Sequence, residues 1–353
     1  MPRTPLTAYR DAPIKILIIR LGGIGDVVMG LPLIRNLKAY FRQAEIHYLT
    51  DPASKAYLEA HPDIDRVILA DRKRPLRQLL ALRRTGYTAV FDSWKNPRTA
   101  LQTWLSGAPY RVSFAHGSRQ WAYNLRTPHP EGQSLYEKTL RMLEAVGVPV
   151  AYPKAEFPLT AAGLAHTRAL LEGLLGPPEQ VLAVLPTGGW PSKRADTDTM
   201  ARFAHRLATE FGLAVALLGS GPEKPALEAL CARLTDLGTR ATIVPPVSTL
   251  ELGCLLAQCG LVLGNDSGPT HIAATSGAAT LALFGPTLPQ MRSYAVGTLA
   301  VIQLDDLFCI RCELADCPRG HECFRTIPED LLVAQARQVR AAYRPPVPLT
   351  PLA

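Results

Sequence analysis

Leu263-Gly264-Asn265-Asp266-Ser267-Gly268-Pro269-Thr270-His271 gathers the residue types that bind an anion. The apolar run Leu261-Val262-Leu263 before it reads as a buried strand, and Ile272-Ala273-Ala274-Thr275-Ser276 after it as a short helix. Ser267 is a suitable N-cap, and Pro269 suits a first helical turn, where its missing N–H costs nothing. Strand, Gly-Ser turn and helix start together offer unpaired backbone N–H groups and the positive end of a helix dipole, which suits phosphate. A capped helix after a buried strand, with no ligand at all, explains this stretch equally well when it is taken alone.

Two more turns share its character. Pro186-Thr187-Gly188-Gly189-Trp190-Pro191-Ser192-Lys193-Arg194 follows the strand Val181–Leu185 and combines two glycines, two hydroxyls and two adjacent cations. Gly219-Ser220-Gly221-Pro222-Glu223 ends the neighbouring strand and puts Glu223 where a carboxylate could grip a ribose. Three such turns on successive strand ends point to a nucleotide site in the second half of the chain.

In the first half, Gly22-Gly23-Ile24-Gly25-Asp26 follows the strand Ile14–Ile19. Gly23-x-Gly25 matches the start of a dinucleotide fingerprint, but Val28 stands at the third glycine and Asp51 comes late for the ribose acid. An NAD-dependent oxidoreductase built on this turn is the alternative reading. Asp26 reads either as a helix cap or as a carboxylate held by glycines and available as a general base. A helix N-terminus stabilises the charged carboxylate and weakens it as a base, so placement within hydrogen-bond reach of the proton has to compensate.

The elements that position these turns follow from the apolar pattern. Strand-like runs at Ile14–Ile19, Ile46–Leu49, Val67–Leu69, Ala89–Phe91 and Arg111–Phe114 alternate with helical stretches, the first of them Val27 to Phe41. Prolines 149, 153 and 158 then break the pattern, which marks a linker. The alternation restarts with strands near Val181–Leu185, Leu213–Leu218, Thr242–Val244, Leu261–Leu263 and Thr280–Phe284, and ends in a helix, Glu329–Ala342. This predicts an α/β protein of two Rossmann-like, doubly wound domains, residues 1–155 and 156–353, whose glycine-rich turns face a shared cleft.

Composition narrows the class further. With 353 residues, 47% of them hydrophobic and 19% charged, the chain supports two globular cores and is not a disordered protein. A net charge of +8 favours anionic partners. No export signal and no run of 18 uncharged apolar residues is present, so a cytoplasmic setting with reduced cysteines is expected. Nucleic acid is not the expected partner, because the basic residues are not interleaved with aromatics and the phosphate-type turns would go unexplained.

Taken in order, Lys15-Ile16-Leu17-Ile18-Ile19-Arg20, Gly23-Ile24-Gly25-Asp26-Val27-Val28, Trp190-Pro191-Ser192-Lys193-Arg194, Asn265–His271 and Leu283-Phe284-Gly285-Pro286-Thr287 resemble glycosyltransferase family 9, the ADP-heptose:lipopolysaccharide heptosyltransferases. The resemblance runs nearly end to end. It implies a GT-B fold and an inverting transfer of heptose, or a similar sugar, from an ADP-sugar to a lipopolysaccharide core or related glycan, with no cofactor needed for catalysis. It makes Asp26 the general base and gives Lys193 the donor phosphates, with Thr187, Gly188, Glu223, Asp266, Ser267, Gly268 and His271 completing the donor site. Many members carry a tryptophan shortly after the lysine, whereas Arg194-Ala195-Asp196 follows here, so the adenine or sugar pocket is expected to differ.

Gly23 and Gly25 would then face the acceptor, joined by Arg74 and Arg77 from a basic cluster, Arg72, Lys73, Arg74, Arg77, Arg83 and Arg84. Such a run is a solvated helix face by default. For an acidic glycolipid acceptor it would hold phosphates or carboxylates and bring the enzyme to the inner leaflet as a peripheral protein. Asp196-Thr197-Asp198 has the form of a metal-binding pair but reads as a capped helix start. Cys309, Cys312, Cys317 and Cys323 have the compactness of a four-thiolate site for structural zinc or iron, with free thiols as the alternative.

Overall fold

The computed structural model describes residues 4–128, 132–289 and 298–352. The chain divides into two compact units, Met1–Pro158 with Leu349–Ala353, and Leu159–Pro348.

The first unit is built on β1 (Ile14–Ile19), β2 (Ala44–Thr50), β3 (Arg66–Leu69), β4 (Ala89–Asp92), β5 (Tyr110–Phe114) and β6 (Leu125–Thr127). Their order is β3-β2-β1-β4-β5-β6, with every pairing parallel. Such strands are covered on both faces, and the run Ile16–Ile19 is fully buried accordingly. Each of those side chains contributes roughly 1.5–3 kcal/mol by leaving water. The helices are α1 (Ile24–Val28), α2 (Leu31–Tyr40), α3 (Lys55–Glu59), α4 (Pro75–Thr85), α5 (Pro97–Leu105) and α6 (Leu135–Glu144).

The expected helix from Val27 to Phe41 is two helices, α1 and α2, that meet at Met29-Gly30. Pro32 lies in the first turn of α2, where it has no N–H to continue the ladder from α1. β6, a half-exposed Leu-Arg-Thr at the sheet edge, carries too little apolar pattern to be read from sequence.

The second unit repeats the plan with β7 (Val181–Leu185), β8 (Ala214–Leu217), β9 (Ala241–Ile243), β10 (Leu261–Asn265), β11 (Thr280–Leu283) and β12 (Leu299–Ile302), in the order β12-β11-β10-β7-β8-β9. Around it pack α7 (Ala161–Leu174), α8 (Thr197–Phe211), α9 (Lys224–Asp236), α10 (Thr249–Gln258), α11 (Gly268–Thr275), α12 (Glu322–Arg325) and α13 (Glu329–Ala342). Its core joins Val184, Phe203, Leu217, Leu263, Leu281 and Phe324.

In both sheets the strand order reverses once, between β1 and β4 in the first unit and between β7 and β10 in the second. Open α/β sheets bind ligands outside the strand C-termini at that reversal, because the helices on its two sides diverge there. Residues 349–353, expected in the second domain, belong to the first unit. There the Thr350 carbonyl accepts from buried Arg35, and the Leu352 N–H donates to buried Asp63.

Candidate functional site

In the second unit the turns that follow β7 and β10 flank the reversal. The Asn265 side chain joins them, donating to the Pro186 carbonyl at 2.7 Å and accepting from the Ala195 N–H. Asp266 follows, 4% exposed, and its carboxylate is the hub of a polar cluster. Lys193 Nζ donates to Oδ2 at 2.5 Å, Thr287 Oγ1 donates to the same oxygen at 2.7 Å, and His271 Nε2 lies 3.6 Å from Oδ1. Burial alone would raise the Asp266 carboxyl, but the His271 contact and the Lys193 ammonium outweigh it and hold it well below the usual carboxylate range. Asp266 is therefore an anion that aims two cationic or donor groups, and Lys193 reaches it from the far turn.

Ser267 occupies the N-cap position of α11 without capping it. Thr270 Oγ1 donates to the Asn265 carbonyl at 2.7 Å, so Ser267 Oγ, 3.0 Å away, gives its proton to Thr270. The expected serine cap is corrected to a hydroxyl relay: Ser267 makes no cap hydrogen bond and serves Thr270 instead. An α-helix leaves its first N–H groups without intrahelical partners, so Gly268 and its neighbours start α11 as a donor surface.

Lys193 Nζ lies 4.3 Å from the centre of the Trp190 ring, so an aromatic partner precedes the lysine in this chain. Thr187 is buried in the same turn, and the Gly188 carbonyl accepts from the Arg194 guanidinium. Glu223, expected at a ribose, closes a capping box on the short 3-10 turn Gly221–Glu223 that leads into α9: its Oε2 accepts from the Ser220 N–H and hydroxyl, both at 2.7 Å. Asp196 is the N-cap of α8, accepting from the Thr199 N–H at 3.0 Å and pairing with Arg325, while Asp198 pairs with Arg233. Those acids and arginines line a pocket of about 460 Å³ that includes none of the donor-turn residues, and their mutual pairing leaves it little net charge.

In the first unit the turn after β1 carries Asp26. Gly23 is the N-cap of α1, and Asp26 stands in its first turn, so the capping reading of Asp26 does not hold. Its Oδ1 is 3.2 Å from Arg20 Nη2. Arg20, the last residue of the first motif in the resemblance and one to which the sequence assigns no role, is 7% exposed. Its Nη1 donates to the Ser93 carbonyl at 2.6 Å, and its guanidinium stacks on Trp94 at 4.7 Å from the ring centre. Trp94 is set by Asp92, fully buried at the end of β4, whose Oδ1 accepts from the Trp94 and Lys95 N–H groups and whose Oδ2 accepts from Tyr123 Oη.

Gly22 closes the turn with φ +97°, and a Cβ there would meet the Trp94 ring at 2.7 Å. Asp51 accepts from the Gly22 N–H at 3.0 Å and pairs with Arg72. That contact gives Asp51 a local structural role in place of the ribose contact of the dinucleotide reading. A pocket of about 320 Å³ opens beside Gly22, lined by Leu21, Asp51, Arg72, Trp94, Asn96 and Arg98. Arg74 and Arg77 are exposed at the start of α4 and are not among its lining residues. Gly23 is exposed and Gly25 buried in α1.

The cysteine loop packs beneath the donor turns. Ser192 donates through its N–H to the Ala315 carbonyl at 3.0 Å and through its hydroxyl to the Leu314 carbonyl. A Cβ on Gly285 would meet Cys323 Sγ at 2.6 Å, so glycine is required there. Cys309, Cys312, Cys317 and Cys323 are free thiols. Burial, reinforced by the three neighbouring thiols, pushes Cys323 up to about 12. Among the described residues no three His, Cys, Asp or Glu side chains stand at metal-ligating spacing, so the four thiols are neighbours without forming a coordination sphere.

Comparison with known proteins identifies the fold and the family. The chain is 26% identical over 286 residues to the lipopolysaccharide core heptosyltransferase OpsX of Haemophilus influenzae, covering 78% of this chain and 80% of that one. Its fold matches a glycosyl transferase family 9 structure from Veillonella parvula with a TM-score of 0.81 at 17% identity, over 95% and 99% of the two chains. It matches the E. coli ADP-heptose LPS heptosyltransferase II with a TM-score of 0.76 at 19% identity, over 93% and 99%. Both sheets and their helices accordingly form the two α/β domains of a GT-B fold. Residues 76–320 match the family description "Glycosyltransferase family 9 (heptosyltransferase)", and the chain belongs to that family.

Proposed function

We propose that this glycosyltransferase moves a heptose from ADP-heptose to an acidic lipopolysaccharide-core acceptor, with inversion at the anomeric carbon. The observation that carries the reading is the Lys193–Asp266–His271 cluster at the strand reversal of the second unit, beside the first turn of α11. Negative charge grows on the departing diphosphate. Lys193, His271 and the N–H groups of α11 supply preorganised stabilisation for it, and the loss of one such donor typically costs about 10²–10³ in rate. Thr187, Gly188, Ser267 and Gly268 line the same donor site, and Glu223, through its second carboxylate oxygen, serves the ribose. The chemistry needs no metal: Asp196 and Asp198, which have the form of a metal-binding pair, are committed to capping and pairing.

Asp26 takes the proton of the acceptor hydroxyl as its oxygen bonds to the anomeric carbon and the bond to the ADP oxygen breaks. Its Oδ1 is engaged by Arg20, which leaves Oδ2 for the acceptor. Gly23 and Gly25 let the acceptor approach the turn, and Arg74 and Arg77 hold its acidic groups. The enzyme works at the cytoplasmic membrane surface as a peripheral protein; among the described residues no helix is long and apolar enough to cross a bilayer. The oxidoreductase alternative is not favoured, since the family match is to heptosyltransferases and Asp51 is tied to Gly22.

The decisive experiment pairs calorimetry with ADP-heptose and a transfer assay on a lipopolysaccharide-core acceptor. Asp26→Asn should bind ADP-heptose as wild type does and lose about 10²–10⁴ in kcat. Wild-type turnover in that variant would end the assignment of Asp26. The cysteine loop is proposed to close on a structural zinc or iron held by Cys309, Cys312, Cys317 and Cys323. Through Ser192 such a metal would brace the donor turn after β7, and through Gly285 the turn after β11. Metal analysis of the purified protein checks this, with substoichiometric zinc and iron counting against it.

A further inference from the structure

Beside the arginines proposed for the acceptor, the first unit carries an apolar surface that no proposed donor or acceptor contact uses. α4 and α5 pack side by side, Gln102 Nε2 donating to Gln78 Oε1 at 3.0 Å between them. Gln78 and Leu82 face inward on α4, so Leu76 and Leu80, one turn apart, point the other way and are 75% and 52% exposed. On α5, Leu101 and Trp104 are exposed in the same manner while Gln102 and Thr103 are buried. Trp121, after β5, is 55% exposed and meets Trp104 edge-on at 5.7 Å. Five of the ten large exposed apolar side chains among the described residues lie on the outward faces of the packed helices α4 and α5 and on Trp121 beside them.

The charge around the patch has one sign. Between Arg72 and Thr127 stand eleven Lys and Arg and a single acid, Asp92, which is buried and hydrogen-bonded. That stretch is formally +10 against +8 for the whole chain, so all other residues together carry −2. Among the described residues Arg72 alone of the eleven is in an ion pair, with Asp51. Arg77, Arg83 and Arg84 alternate with the leucines of α4, Arg98 precedes Leu101, and Arg119 precedes Trp121 by two.

We propose that the outer face of α4 and α5, with Trp121, docks the protein on a bilayer rich in anionic phospholipid. This names the surface behind the membrane association proposed above and rests on that reading. Tryptophans settle at the headgroup level, leucines enter the acyl boundary, and arginines meet lipid phosphates while their stems lie on the apolar region. The charge rules against the other occupants. A second copy would set one arginine rim against another, and a nucleic acid would take the arginines but leave the leucines in water.

Flotation of the full chain with phosphatidylcholine vesicles, with and without about one-third phosphatidylglycerol, tests the surface. Wild type should float with the phosphatidylglycerol vesicles, stay behind with phosphatidylcholine alone, and be released by salt. Trp104→Ser with Trp121→Ser should lower partitioning about tenfold or more, and Arg119→Gln about severalfold. Both variants should match wild type in ADP-heptose binding and in transfer to a delipidated, water-soluble acceptor. Equal flotation on both vesicle types, or unchanged flotation of the double tryptophan variant, overturns the proposal. A wild-type dimer in sedimentation that the tryptophan changes dissociate also overturns it, by assigning the face to a second copy. Transfer without flotation sinks the surface alone, whereas flotation without transfer sinks the reading of the reaction and leaves the surface standing.

Discussion

Arg20 is held by two partners besides Asp26: the Ser93 carbonyl fixes one guanidinium nitrogen and the Trp94 ring fixes its plane. A planar, forked cation can meet a carbonyl and a carboxylate at once, whereas an ammonium on a flexible stem meets them as a single point. Arg20→Lys is therefore expected to keep charge and ADP-heptose affinity but lower kcat about 10²-fold, the usual cost of roughly 1 Å of misplacement. Steady-state kinetics beside donor calorimetry checks it, and an unchanged kcat would mean that Arg20 only fills space. Asp26 stood out as a candidate in the sequence because an acid after a glycine turn has few roles. Arg20 did not, because an arginine at the end of an apolar strand gives no sign of what it faces.

The turns between elements carry the site, and each has its own fragility. At the β1–α1 turn, Gly22→Ala forces a left-handed φ on alanine and drives its Cβ into Trp94. It should cost about 1–3 kcal/mol of stability and displace the ring under Arg20. Chemical denaturation compared with transfer activity measures both effects.

At the β10–α11 turn, the Asp266 carboxyl is depressed below its ordinary value of 3.8. A carboxyl depressed in the folded state contributes stability that is present above its unfolded pKa and lost as pH falls toward the folded one. Thermal stability should therefore drop as pH falls below about 4, and Asp266→Asn should show a shallower drop. An identical acid slope in the two proteins would remove Asp266 from the explanation. The turn sequences named the candidate residues, but they did not show that Ser267 serves Thr270 or that Thr287 supports Asp266.

For the molecule as a whole, the two units differ in what they expose. The excess positive charge belongs to one stretch of the first unit, so the overall +8 describes neither unit by itself. The final residues tie back to the first unit through Arg35 and Asp63. Deleting residues 349–353 strips two buried charged groups of backbone partners, and roughly 1–3 kcal/mol of stability should go with them. Calorimetric unfolding of the truncated chain would show the loss, and an unchanged profile would make the tail an ornament.

Sequence alone determined the alternation of strands and helices, the two-sheet plan and the glycine turns, because each depends on neighbours only a few residues apart. Hydrophobic period and turn chemistry are local, so they survive in one dimension. Tertiary structure alone decided which side chains hold one another: Lys193 with Asp266 across 73 positions, and Arg20 with Ser93 across 73. It also decided that Leu76, Leu80, Leu101, Trp104 and Trp121 stay outside, since an apolar residue on a helix reads as core until the packing shows which face is covered.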